Sequence, residues 1–264
     1  MAGPSFIPDP ISELTWDDVD STVVEINADV VFYDIFLLSS GVGFGSISDG
    51  TFRDRDWNSF GFIISDTISD AESDDLLYFN IDTGIRMFQW EGPDQKRIGY
   101  IDFLIGYQQW RETFIATKTR DLFPGTRSID QGKAITEEFK WDSMRVGLRV
   151  NFPLFYGLGL RGRSFVIPFT LFELEDIHHL RTDLKQDPSF ETEAFGGVGY
   201  QLDYTLFYNF WEGLSVEVGY QIWDIVSGED DIIAHSVTGT DATQPFNQAE
   251  SFRHGILLGI NYNF

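Results

Sequence analysis

Two short acidic clusters carry the residue types that could do chemistry. The first is Asp54-Arg55-Asp56-Trp57. In extended backbone, an i, i+2 spacing points both carboxylates to the same side. Two carboxylates held that close resist double ionisation, so one pKa rises and a proton is shared, a setting suited to general acid–base work. The second cluster is Glu175-Asp176-Ile177-His178-His179. Asp176 and His178 share a face by the same spacing, and a carboxylate beside an imidazole orients the ring and stabilises its protonated form. A cleft with Asp54 and Asp56 on one wall and Asp176 and His178 on the other could hold and activate a water. Other readings stay open. Asp54 and Asp56 also suit a solvated turn or a Ca²⁺ contact, and two of the four histidines fall together, as in a divalent-metal site. The chain has no cysteine, which removes thiol catalysis, and it lacks a Gly-x-Ser-x-Gly elbow.

Strands must position these residues. About nine segments alternate apolar and polar residues with a period of two: 14–33, 35–46, 75–90, 98–118, 135–153, 157–177, 193–210, 213–228 and 248–264. In 75–90, Leu77, Phe79, Ile81, Ile85 and Met87 share one face, against Tyr78, Asn80, Asp82 and Arg86. In 248–264 the apolar face is Phe252, Ile256, Leu258, Ile260, Tyr262 and the terminal Phe264. The 157–177 segment is less clean, because Phe165, Ile167 and Phe169 share parity with Arg161 and Arg163. Short links such as Tyr33-Asp34 alternate with long polar ones at about 47–74, 119–134, 178–192 and 228–247. Short turns on one side and long loops on the other are the asymmetry of an outer-membrane barrel. Inward Arg86, Arg145, Arg149, Arg161 and Arg163 would face Glu25, Asp29, Asp82 and Asp203, filling the lumen with charge and arguing against an open pore.

Composition agrees. No run of 18 apolar residues occurs in the 264, which excludes a membrane-spanning helix but not a barrel, whose strands hide their hydrophobicity by alternation. Aromatic residues make up 16%, as girdles at both interfaces require. The net charge of −24 disfavours nucleic acid and favours cationic partners, divalent ions, or peptides and proteins rich in Lys and Arg, with solubility of exposed loops as the plainer reading. The chain starts Met1-Ala-Gly-Pro4 without a leader pattern, so an export signal is expected to have been removed or to lie before it. Nine strands is an odd count where single-chain bacterial barrels are even, and Pro4, Pro8 and Pro10 prevent residues 1–12 from forming a long tenth strand.

The chain resembles the omptin family, the ten-stranded outer-membrane endopeptidases of Gram-negative bacteria. Asp54-Arg55-Asp56-Trp57, Gly106-Tyr107-Gln108-Gln109-Trp110-Arg111, Asp176-Ile177-His178 and the strand start Leu14-Thr15-Trp16 carry the resemblance, in the family's order. It implies one all-β domain over 1–264, an antiparallel up-and-down transmembrane barrel with an extracellular active site. Asp176 and His178 would be the water-activating dyad and Asp54 and Asp56 the facing pair, cutting peptides near basic residues with no metal. The resemblance also implies lipopolysaccharide bound by Tyr107, Arg111 and Lys140 and required for activity, although Glu138 has the wrong sign at the second basic position. The family's first strand, with its pocket Glu, has no counterpart here, and Leu174 stands where an acid is expected. A pocket for Arg or Lys would then depend on Glu173, Glu175, Asp66 or Asp70. The rival readings are an inactive family relative acting as a structural or adhesive barrel, a small porin, and a soluble all-β protein with a polar cavity.

Overall fold

A computed structural model describes residues 11–93, 97–123, 127–129 and 132–263. Phe264, Pro4, Pro8 and Pro10, used in the sequence reading, lie outside the described residues. The strands are β1 (Ser12–Phe32), β2 (Phe36–Trp57), β3 (Ile63–Glu91), β4 (Ile98–Asp121), β5 (Arg127–Ser128), β6 (Lys133–Pro153), β7 (Leu158–His178), β8 (Phe190–Phe195), β9 (Gly197–Trp211), β10 (Leu214–Ser227), β11 (Asp230–Ala234), β12 (Ala242–Phe246) and β13 (Glu250–Tyr262). They form one sheet in which neighbours pair antiparallel. β8 continues into β9, β10 into β11, and β12 into β13. Counting each of those pairs once and setting the two-residue β5 aside leaves nine long strands among the described residues.

Tight turns close the inner end. Tyr33 and Asp34 both have positive φ (53° and 58°), and the Ile35 N–H donates to the Phe32 carbonyl at 3.1 Å. That is the primed turn whose twist matches two adjoining strands. Tyr156 and Gly157 repeat it at the next inner turn but one. The long strands then alternate as expected. Leu77, Phe79, Ile81, Ile85 and Met87 point outward and are exposed, whereas Tyr78, Asn80 and Asp82 are buried in the lumen. The outward apolar residues of all nine strands make a belt, the surface that a barrel presents to lipid. β1 to β4, β6 and β7 run 21 to 29 residues, about twice the 9–11 that a tilted strand needs to cross a bilayer. Beyond the belt the outward residues include the charged Arg111, Glu138, Lys140 and Glu173, which suit an outer half that stands clear of lipid.

The polar lumen is filled in two layers. In the lower one Arg145 binds Asp82 through Nε at 2.8 Å and Nη2 at 2.6 Å, and lies 4.2 Å over the Phe165 ring. Arg149 reaches Asp102 at 2.7 Å and Asp29 at 2.8 Å, Arg86 also holds Asp102, and Arg161 pairs with Glu217. Asp102 and Glu217 are acids that the sequence reading did not include. Above them Tyr78 stacks on Trp110, and Trp110 stacks on Trp223. Trp141 and Phe172 extend the aromatic layer across the barrel.

Three sequence expectations change. The 47–74 stretch is a strand hairpin, not a loop: β2 runs on to Trp57 and β3 begins at Ile63. The 228–247 stretch likewise holds the β11–β12 hairpin. Phe165 and Ile167 face inward and are buried, and the parity of β7 reverses beyond them. β7 carries one extra residue around Pro168, where Val166 pairs with Val146 but Phe169 pairs with Met144. Proline has no N–H to give the ladder and is at home in such a bulge. After it, Thr170, Phe172, Leu174 and Asp176 point inward. Register shifts on β2 between Gly45 and Thr51 do the same, turning Phe52 and Asp54 inward where Ser39 and Gly41 faced in below.

An odd strand count leaves its mark on the edges. Among the described residues β1 pairs only with β2, and β13 only with β10. Both edges descend from the outer to the inner end, so no antiparallel ladder can join them directly. Ile256, Leu258 and Ile260 on β13 are 75–80% exposed, whereas Val216 and Val218 on the next strand are 43–49% exposed.

Candidate active site

The cleft lies at the outer end, between β1–β3 on one side and β6–β7 on the other. Asp54 (β2) pairs in register with Leu14 (β1) and Thr67 (β3), and His178 (β7) pairs with Ile135 (β6). Asp54, Thr67, Thr119, Ile135, His178 and Arg181 line one cavity of about 120 Å³, wide enough to admit a water between the walls. His178 Nε2 lies 2.8 Å from Asp176 Oδ2. That contact leaves Nδ1 as the ring nitrogen free to take a proton. The Phe190 ring packs edge-on against the imidazole at 5.0 Å. Ser189 ties the backbone, its hydroxyl accepting from the His178 N–H and its own N–H donating to the Asp176 carbonyl. Asp56 lies one turn of the pleat beyond Asp54, and its charge acts on Asp54.

The electrostatics are those of crowded acids. Burial and the neighbouring Asp56 push the Asp54 carboxyl up to about 6, against the pull of His178. Burial also holds Asp176 above the usual carboxylate range despite its bond to His178. A further acid sits behind the dyad. Glu137 (β6) pairs in register with Asp176 and is fully buried. Burial first, then the charge of Asp176, pushes it well above the ordinary range. Its Oε2 accepts a hydrogen bond from Trp16 Nε1 at 2.6 Å, across the lumen from β1. The sequence reading missed Glu137, although the parity that puts Arg145 and Arg149 inward extends to it unbroken along β6.

A pH prediction follows from Asp54. The folded carboxyl keeps its proton to about pH 6, while an unfolded one releases it near 3.8. The stability that this protonation supplies is therefore lost as pH rises through that interval. Isotope-edited NMR of the Asp side chains should give Asp54 a midpoint near 6, and Asp56→Asn should lower it. A midpoint in the ordinary carboxylate range would show that the two acids are not held together.

The four acids expected to select a basic side chain do not face the cleft. Glu173 points outward and binds Lys140 at 2.8 Å, with Glu175 exposed beside it. Asp66 is clamped by Arg53 through two bonds of 2.8 Å, and Asp70 by Lys118 at 2.9 Å. Parity explains the two β7 residues: once the Pro168 bulge turns Asp176 inward, Glu173 and Glu175 must point out. Tyr107, Arg111 and Lys140 do come together, on the outer wall just above the belt, because Arg111 and Lys140 pair in register. There Arg111 is bound to Glu138 at 2.7 Å, and Lys140 to Glu173 and Asp142 at 2.8 and 3.0 Å. Tyr107 donates to Asp142.

A family model described as Pom: Protochlamydia outer membrane protein matches residues 1–264. The chain belongs to the Pom family. No curated protein sequence matches it. Among solved structures it is similar to the crystal structure of outer membrane protease OmpT from Escherichia coli. The TM-score is 0.70 at 14% identity, and the match covers 96% of each chain. At that identity the likeness speaks for the fold. This Pom-family chain is an outer-membrane β-barrel of the shape that OmpT-type omptins share.

Proposed function

We propose that this Pom-family barrel is an endopeptidase whose cleft opens to the cell exterior and hydrolyses peptides near basic residues. The observation that supports it is the meeting of Asp54 and His178 across one cavity, with Asp176 bonded to the imidazole. In this reading His178 takes a proton from a water held between the walls. The hydroxide formed attacks the scissile carbonyl, and Asp176 stabilises the imidazolium. Asp54, which holds its proton to higher pH than an ordinary carboxyl, is suited to protonate the departing amine. The filled lumen, with Arg145–Asp82 below and the aromatic layer above, speaks against the porin reading.

The preference for basic side chains must then come from the field of the whole chain and from the cleft acids themselves. We expect cleavage of Arg-Arg peptides to exceed that of Arg-Ala and Ala-Ala. The margin should shrink as salt rises and the Debye length falls to about 8 Å at 0.15 M. Rates measured on the three peptides at low and high salt test this, and equal rates throughout would remove charge from substrate choice. An absence of cleavage in lipid-reconstituted protein would favour the inactive structural or adhesive barrel.

The outer wall supports lipid contact of a weaker kind. Lipopolysaccharide phosphates at Tyr107, Arg111 and Lys140 must compete with Glu138, Asp142 and Glu173 for the same cations. Glu138→Gln frees Arg111 and should tighten binding of lipopolysaccharide by up to about fivefold, the scale of an exposed ion pair. Titration of refolded protein with lipopolysaccharide in detergent checks it, and unchanged affinity would take Arg111 out of the contact.

A further inference from the structure

Glu137 and Asp176 face the same side of two paired strands, at positions directly opposite each other. Side chains at such positions start with Cβ atoms about 4.5–5.5 Å apart. Glu137 is 0% exposed and Asp176 2% exposed. Each has one oxygen satisfied, Glu137 Oε2 by the Trp16 indole and Asp176 Oδ2 by His178. Each has the other oxygen, Glu137 Oε1 and Asp176 Oδ1, buried without a partner. A buried carboxylate oxygen left unpaired is costly, and two facing anions in a low-dielectric site cost more. One proton between the two orphaned oxygens satisfies both and removes one of the two charges.

We propose that Glu137 is a positioning residue that shares a single proton with Asp176, so that the dyad is the inner part of a Glu137–Asp176–His178 relay held from the far wall by Trp16. Its role at a catalytic dyad rests on the endopeptidase reading, but the proton sharing does not. The surrounding groups are consistent with it. β1 presents Trp16, an indole donor, and β2 presents Asp54, another acid. β4 presents Phe114, packed against Trp16, and β7 presents Asp176 and His178. No cation faces Glu137 among these neighbours. Burial and the charges of Asp176 and Asp54 accordingly raise its carboxyl well above the ordinary range. By sharing the proton, Glu137 draws negative charge away from Asp176, the carboxylate bonded to the His178 ring.

The test needs no peptidase activity, so its failure is distinguishable from that of the endopeptidase reading. Refolded wild type, Glu137→Gln and Glu137→Leu are compared, with folding checked by heat-modifiable gel mobility. Infrared difference spectra in D₂O at neutral pD should show a protonated carboxyl C=O band in the wild type that is lost in both variants. By NMR of labelled histidine, Glu137→Leu should raise the proton affinity of His178 by about threefold to tenfold, because Asp176 then carries a whole charge. Glu137→Gln, whose amide can donate to Asp176 and whose carbonyl can accept from Trp16, should restore the wild-type value. A fall or no change in Glu137→Leu would overturn the proposal, since an ionised Glu137 gives the first and a purely space-filling one the second. Should Glu137→Leu fail to fold, an unchanged infrared spectrum in Glu137→Gln is enough to overturn it.

Discussion

Replacing His178 with alanine should lower peptide hydrolysis by about 10²–10⁴-fold, the range for losing a general base, and leave the barrel folded. The imidazole lies at the rim of the cleft, above the aromatic layer, and among the described residues its side-chain hydrogen bond is to Asp176. Its loss therefore touches no lipid-facing surface and none of the Arg145 or Arg149 network. Asp176→Asn should be nearly as severe, since an amide cannot stabilise the imidazolium and presents the ring with either a neutral acceptor or a donor. Steady-state rates on a dibasic fluorogenic peptide, with gel mobility as the folding control, measure both. Hydrolysis that continues unchanged in folded His178→Ala would end the endopeptidase reading, whatever the cavity looks like.

Arg145→Met should be the most damaging single change to stability, at about 3–5 kcal/mol, the cost of stranding a buried partner charge. Arg145 and Asp82 are each about 1% exposed, joined by two bonds, and Arg145 also donates to Gln108 and Gln201. Removing the guanidinium strands the Asp82 carboxylate beneath the aromatic layer. Adding Asp82→Leu should recover much of the loss, because the price of a lone buried charge then disappears. Arg111→Ala is the contrast: its ion pair with Glu138 is roughly half exposed on the arginine side, and pairs of that kind contribute about 0–1 kcal/mol. Urea unfolding midpoints in detergent, read by tryptophan fluorescence, rank the three. A loss in Arg145→Met no larger than in Arg111→Ala would mean that the inner network is not what holds the lumen together.

The alternation of the sequence determined the barrel, because a strand with one apolar face and one charged face has few other ways to satisfy both. It also determined the inward set of Arg86, Arg145, Arg149, Arg161 and Arg163, the Tyr33–Asp34 turn, and the pairing of Asp176 with His178, each of which depends on neighbours within a few residues. Glu137 was legible by the same rule, since it shares the parity of Arg145 and Arg149 along β6. What only the tertiary structure decided is which way the outer half of the barrel faces. Counted from Arg161 and Arg163, Asp176 and His178 would point outward. Counted from Ser39 and Gly41, so would Asp54. One extra residue at Pro168 and the shifts between Gly45 and Thr51 reverse both counts, and the two halves of the cleft turn toward each other. The same reversal sends Glu173 and Glu175 out to Lys140 and open solvent. Parity is a local count, whereas a bulge is fixed by the register of the partner strand, as Met144 and Val146 of β6 fix the bulge opposite them. That register is set by contacts between residues far apart in the chain, so the acids that share the cleft could be named from the sequence, but the side of the wall they occupy could not.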